Sequence, residues 1–360
     1  WQSLGYWVVQ QDVARGDQPW YYYLVLSSIY EFFPMILGTI AIAYYIKNKD
    51  TFARFLIFWC ILTFIFYTIA SEKMPWLLVN ITLPFIVLSG KFLGDLLTKM
   101  DWGHIRSNGG ILLLIWVPLL FFTLWQGSIL IVSTETNIYL ALGLLLMLML
   151  ITTSGWLMLR KTHFLTLLPF SMIPFSIILV VLTVRVGITA SYSNGDVPVE
   201  MIVYTQTSPE VLNTMKRVKE MEAFSEKPLK ISIDQTSGFT WPWAWYLRNS
   251  QNVQYLPLEQ EIDENTFAKS SIIMLHQRNQ EKIMGEQVSL PWDAEVIDHR
   301  WWFPEHTYRN LTLGKLLDNL SNRTTWRGIM AYWINREGVR DYIGTEKAIV
   351  YFEKNLSDNQ

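Results

Sequence analysis

The sequence predicts a polytopic α-helical membrane protein with six transmembrane helices, followed by an extracytoplasmic α/β domain. Three observations carry that expectation. Half of the 360 residues are hydrophobic and only 17% are charged, against about 25% charged in an ordinary soluble domain. The charge is also unevenly shared: 19 charged residues fall in the first 190 positions and 41 in the last 170. Finally, the apolar residues of the first part form runs of about 20, the length of helix that crosses a bilayer.

The six runs lie at 23–46, 52–70, 76–97, 110–132, 138–159 and 164–187. Pro34, Pro84, Pro118, Pro169 and Pro174 fall inside them, which membrane helices tolerate better than soluble ones. Basic residues orient the bundle. Lys47, Lys49, Arg54, Lys99, Arg106, Arg160 and Lys161 occupy the odd-numbered connections, and Lys73 alone the even ones. The odd connections are therefore expected in the cytoplasm. The segment before the first helix and everything after the sixth are expected outside, in an integral protein of the cell membrane. Trp20, Tyr21, Tyr22 and Trp76 then fall at the level of an outer aromatic belt.

After a boundary at 191–198, marked by Asn194-Gly195-Asp196, the pattern changes. The division is thus a membrane domain at 1–190, a linker at 191–198 and an α/β domain at 199–360. Strands are predicted at 201–205, 229–233, 271–275, 295–298 and 348–352. An amphipathic helix is predicted at 209–224, with Ser208 as cap and Pro209 in its first turn, and further helices at 312–320 and 325–335. Strands alternating with helices suggest a largely parallel sheet.

The net charge of −2 excludes a basic nucleic-acid binder. One cysteine, Cys60, excludes a disulfide framework and a cysteine zinc site. His299, Glu305 and His306 have no standard metal-ligand spacing, so no metal site is assigned. No P-loop, nucleophile elbow or His-Glu-x-x-His is present.

Four groups of residues carry candidate chemistry. Arg15 and Asp17, in the loop before the first helix, read either as a solvated pair or, for Arg15, as a bidentate phosphate ligand. Glu72 and Lys73 lie in the second connection and read either as part of a solvated turn or, for Lys73, as a cation at headgroup height that converges with Arg15 on one lipid phosphate. Glu31 lies about 12 Å down the first helix, either as a functional intramembrane acid or as a structural polar contact. Trp241, Trp245 and Arg248 offer stacking and cation–π surfaces for a sugar or acceptor, or pack a core. Lys91 and Asp95 read as an i, i+4 pair.

In this order the residues resemble a known group. Arg15-Gly16-Asp17-Gln18-Pro19-Trp20-Tyr21-Tyr22-Tyr23, Tyr30-Glu31-Phe32-Phe33-Pro34, Glu72-Lys73-Met74-Pro75-Trp76 and Leu83-Pro84 resemble the second half of a GT-C membrane glycosyltransferase. The wider kinship is with the protein O-mannosyltransferase and aminoarabinose transferase superfamily. The segments Gln206-Thr207-Ser208-Pro209 and Trp241-Pro242-Trp243-Ala244-Trp245-Tyr246-Leu247-Arg248 resemble the flippase-activity-associated family of archaeal-type N-glycosylation. The resemblance implies transfer of a sugar from a polyprenyl-phosphate donor on the outer membrane face, to an acceptor that the residues do not specify. Arg15 and Lys73 are then the lipid-phosphate ligands, with Asp17, Glu31 and Glu72 as supporting polar groups. In that superfamily the essential acids lie in an N-terminal outer loop. The chain begins at Trp1 without a leader, so the expectation is a fragment that lacks this loop, has no catalytic residue of its own and is inactive alone. No cofactor is assigned to the fragment, and any divalent metal would belong to the absent part. The alternative class is a flippase, or a flippase-associated protein, that handles lipid-linked sugars without chemistry.

Overall fold

The computed structural model describes residues 5–6, 8–9, 16–48, 50–103, 110–133, 137–161, 164–225, 227–258, 267, 270–280 and 292–354. In chain order the main elements are α1 (Tyr22–Tyr30), α2 (Phe32–Ile46), α3 (Thr51–Ile69), α4 (Leu78–Lys99, led in by a 3-10 turn at Pro75–Leu77), α5 (Leu113–Val132), α6 (Ile138–Lys161) and α7 (Phe164–Ile188, ending in a π-turn at Thr189–Ser193). There follow β1 (Gln206–Thr207), α8 (Pro209–Phe224), β2 (Ile231–Asp234), α9 (Trp243–Tyr246), β3 (Val253–Leu256), β4 (Ile272–His276), β5 (Trp292–Trp302), α10 (Leu313–Ser321), α11 (Arg323–Asn335) and β6 (Gly344–Glu353).

Among the described residues, five helices are long and apolar enough to cross a membrane, or six if α1 and α2 count as one broken span. The unbroken helix expected at 23–46 is therefore a correction: α1 and α2 meet at 110°. Glu31 is the hinge, with φ −116° and ψ 51°. Pro34 explains its place. Proline has no N–H to offer the carbonyl four residues back, Tyr30, and its ring crowds that carbonyl. Helix bonding stops with Glu31 N–H donating to Ser27 O and resumes with Met35 N–H donating to Glu31 O at 3.1 Å. The Phe33 N–H left over at the new helix start donates to Thr183 Oγ1 on α7, at 3.2 Å.

Helix α2 packs on α4 and α7, α3 on α4, and α5 on α6 and α7. Gly38 lets α2 and α4 approach: a Cβ there would lie 2.5 Å from Phe85 Cδ1. At the opposite end of these helices, Lys91 pairs with Asp95 at 2.9 Å, as the spacing predicts, and also with Asp50 at 2.8 Å. Asp50 caps α3 by accepting from Ala53 N–H, and Tyr45 donates to Asp95 at 2.6 Å. One lysine thus ties three helices. Most large side chains on α5 and α6 face outward, Leu124, Leu145 and Met149 among them. In a membrane that surface meets acyl chains, so the exposure carries no hydrophobic cost.

The chain divides into two compact units. One comprises Trp1–Ser193 together with Glu305–Arg340, the other Asn194–Pro304 together with Asp341–Gln360. The sequence reading assigns 199–360 to one domain. In the structure α10 and α11 leave it and join the helical unit, where α11 packs on α5.

The largely parallel sheet expected from the sequence is also a correction. Its order is β1-β5-β6-β4-β2-β3. Only β2–β3 and β2–β4 are parallel; β1–β5, β4–β6 and β5–β6 are antiparallel. β5 and β6 pair as antiparallel neighbours, although α10 and α11 lie between them in the chain. Residues 201–205 form a turn rather than a strand: Val203 N–H donates to Glu200 O, and the buried Glu200 carboxylate accepts from Asn194 Nδ2. Helix α8 covers one face through Val211, Met215, Val218 and Met221, packed with Ile231, Ile233, Trp243 and Phe352. Leu256, Ile273, Leu275, Ile349 and Tyr351 form the core of the other face.

Candidate functional site

The first site is built in the helical unit, where the loop before α1 meets the loop between α3 and α4. Gly16 makes the junction. Its φ is +89°, and a Cβ would lie 2.5 Å from Lys73 O, so the position requires glycine on both counts. Tyr23 donates to Met74 O at 3.2 Å and ties α1 to the same loop.

Lys73 is 6% exposed and its ammonium donates to Ala70 O at 2.5 Å. Burial pulls its pKa down, and the Asp17 charge opposes that. Glu72 is half-buried in the same loop. Arg15, its expected companion, lies outside the described residues. Asp17 is reached by another arginine, at the outer limit of hydrogen bonding: Arg309 Nη1 lies 3.5 Å from its carboxylate.

Arg309 is a residue that sequence reasoning missed. It donates to Gly16 O at 2.9 Å and pairs with Glu305 at 2.6 Å. Gln18 adds to the latch, donating to Glu305 Oε1 at 2.6 Å and accepting from Tyr308 at 2.8 Å. The Tyr21 hydroxyl lies 2.6 Å from Tyr308 O and accepts from Leu311 N–H at 3.0 Å. The 305–311 segment therefore closes over the loop before α1. A separation of nearly 290 residues hides such a pairing from any local pattern, although the i, i+4 spacing of Glu305 and Arg309 is a visible signal.

Glu31, at the α1–α2 break, is partly buried, and its carboxylate takes no hydrogen bond from the described residues. Two arginines lie around this broken helix. Arg336 stacks over Tyr30 at 5.7 Å, and Arg185 is in the last turn of α7, near Thr183. A lone Arg in an apolar span is a signal for function in its own right, and Arg185 could have been singled out on that ground.

The tryptophan segment lies in the other unit. Trp243 is fully buried and stacks on His299 at 5.4 Å, whereas Trp241 and Trp245 are 61% and 62% exposed. Arg248 lies 4.3 Å over the Trp245 ring and donates to Trp245 O at 2.6 Å. The run thus splits into one core anchor, Trp243, and two exposed rings, of which Trp245 is braced by a cation.

This unit also holds a polar centre with no sequence motif, where β2 and β4 end. Buried Asp234 accepts from Thr236 N–H, His276 N–H and Asn279 Nδ2 at 2.7–3.1 Å. Glu346 accepts from Arg300 and lies 2.7 Å from His276 Nε2. Burial raises the Glu346 pKa, but the combined pull of His299, Arg300 and His276 outweighs it and holds the group at about 2. His299 is fully buried, and burial lowers its pKa. No group of three or more potential metal ligands occurs among the described residues.

No family model matches the chain, and no solved structure matches it. Over 102 residues it is 27% identical to undecaprenyl phosphate-alpha-4-amino-4-deoxy-L-arabinose arabinosyl transferase 2 of Proteus mirabilis (strain HI4320). That stretch is 28% of this chain and 18% of the relative, so the chain spans less than a fifth of the protein it matches. The likeness is thus partial, and it is to a glycosyl transferase of the aminoarabinose kind.

Proposed function

We propose that the chain is the lipid-binding and C-terminal part of a membrane glycosyltransferase, which transfers a sugar from a polyprenyl-phosphate donor at the outer membrane face. The observation that carries the reading is the similarity to an arabinosyl transferase whose own name specifies an undecaprenyl-phosphate-linked sugar. The apolar helices supply a bilayer-embedded frame for such a donor. The excess of Lys and Arg in alternate connections supports an outer location for Lys73, for the loop before α1 and for the unit containing Trp241, Trp245 and Arg248.

In such a transfer the bond from sugar carbon to phosphate oxygen breaks, and negative charge grows on the departing phosphate. A cation already held in place stabilises that charge at no cost of reorganisation. Lys73 has the required setting, since it is drawn out of water and its bond to Ala70 O leaves further N–H donors. Arg15 is its proposed companion. Asp17 has a mainly structural place beside Arg309, and neither it nor Asp12 is assigned as the base. Trp241, Trp245 and Arg248 form the proposed sugar or acceptor surface. Kinship with the flippase-associated family rests on the Trp241–Arg248 and Gln206–Pro209 segments. Pure transport draws no support from a relative that is a transferase.

The test is sugar transfer from a radiolabelled polyprenyl-phosphate donor by the full-length protein in proteoliposomes. Arg15→Ala and Lys73→Ala are expected to lower turnover at least tenfold with the fold retained. Unchanged turnover in both variants removes the assignment of these cations.

A further inference from the structure

Where α7 ends and α11 ends, the helical unit holds a cavity of about 220 Å³ lined by Arg185, Val186, Thr189, Ile334, Asn335 and Arg336. Its lining contains two guanidinium groups, a hydroxyl and an amide, and no carboxylate. Arg185 stands exposed in the last turn of α7 and donates to Ile334 O at 2.6 Å. It forms no ion pair among the described residues. Arg336 is 6% exposed, lies 5.0 Å over the Tyr332 ring and donates to Trp333 O at 3.0 Å.

The backbone at Arg336 sharpens the point. The residue caps α11 in the left-handed region, at φ 58° and ψ 31°, where glycine is the favoured residue and any other side chain adds strain. Part of the return is helix capping, because the guanidinium satisfies C-terminal carbonyls. Yet a guanidinium carries five donors in a fork that matches phosphate oxygens, and carbonyl bonds leave that chemistry available in Arg185.

We propose that this cavity binds the phosphate of a lipid. The lipid, rather than a free ion, follows from the neighbouring surface. Ile177, Val181, Val184 and Ile188 of α7 are each more than half exposed and run along the helix to Arg185 at helical spacing. A phosphate seated between Arg185 and Arg336 can therefore lay its acyl or isoprenyl chain on that stripe. The site is separate from the Lys73 loop and does not depend on glycosyl transfer.

The experiment measures equilibrium binding to the whole chain in detergent, using farnesyl monophosphate, farnesol, dihexanoyl phosphatidylglycerol and inorganic phosphate as probes. Farnesyl monophosphate is expected to bind and farnesol is not. Arg336→Gly, which suits the left-handed backbone, and Arg185→Gln are each expected to weaken that binding about tenfold or more. If phosphatidylglycerol shows the same sensitivity, the site takes headgroup phosphates in general; if only the monophosphate binds, it takes a terminal phosphate. Either result supports the proposal. Farnesol binding as well as farnesyl monophosphate, inorganic phosphate matching the lipid probes, or folded variants binding like the unaltered chain would each overturn it. The probe comparison on the unaltered chain stands even if a variant fails to fold. Because the readout is binding, loss of the transferase reading leaves the result interpretable.

Discussion

Gly16 shows how one residue sets a junction. Its positive φ and the 2.5 Å that would separate a Cβ from Lys73 O leave no room for a side chain. Gly16→Ala is expected to cost about 2 kcal/mol, read as a lowered midpoint of thermal unfolding in detergent. Glu346 sets a pH limit on the other unit. Its pKa is about 2 when folded, against 4.5 as an ordinary carboxyl. A lowered acid pKa stabilises the folded state above about 4.5, and that stabilisation disappears as the pH falls toward 2. Its size at neutral pH is on the order of 2–3 kcal/mol. Hydrogen-exchange protection of β4 and β6, corrected for intrinsic rate, should fall over this window and should lose the dependence in Glu346→Gln. Neither residue announces its role in the sequence. A glycine in a polar loop and a Glu in the polar start of a strand are ordinary, and what distinguishes them is what lies opposite.

Helix α1–α2 is the element that departs most from expectation. The apolar run is legible because apolar content is a local property. The 110° break is less so, since prolines in the other spans sit inside continuous helices. The difference here is a partner: Thr183 accepts the Phe33 N–H that the break exposes. Thr183→Val keeps the shape and removes the acceptor, and is expected to cost about 1 kcal/mol, measured by thermal unfolding. Pro34→Ala restores an N–H for Tyr30 O and should straighten the pair. Spin labels placed on α1 and α2 would report a longer separation; an unchanged separation would mean that packing, not proline, holds the bend. The tryptophan segment shows the same limit. Its aromatic character was visible, but burial of Trp243 between two exposed tryptophans depends on His299, in a strand more than 50 residues away.

Across the whole molecule, the decisive feature is that 305–340 belongs with the helices and not with the sheet that precedes and follows it. Arg309 is the principal latch to the loop at Gly16. Arg309→Ala is expected to weaken it by roughly 1–3 kcal/mol, seen as faster hydrogen exchange over 305–312 with β4 and β6 unaffected. By itself, the sequence determined the apolar helical half, the place of the composition change, nearly every helix and the main strands, because each follows from periodicity or composition within a short window. It also singled out Lys73, Glu31 and the tryptophan run. Tertiary structure alone decided that the sheet is mixed, that Lys73 is buried against its own loop, that Arg309 meets Gly16 and Asp17, and that Arg185 and Arg336 line one cavity. These outcomes depend on hydrogen bonds and packing between residues far apart in the chain, and local periodicity does not encode which distant carbonyl or carboxylate will stand opposite a side chain.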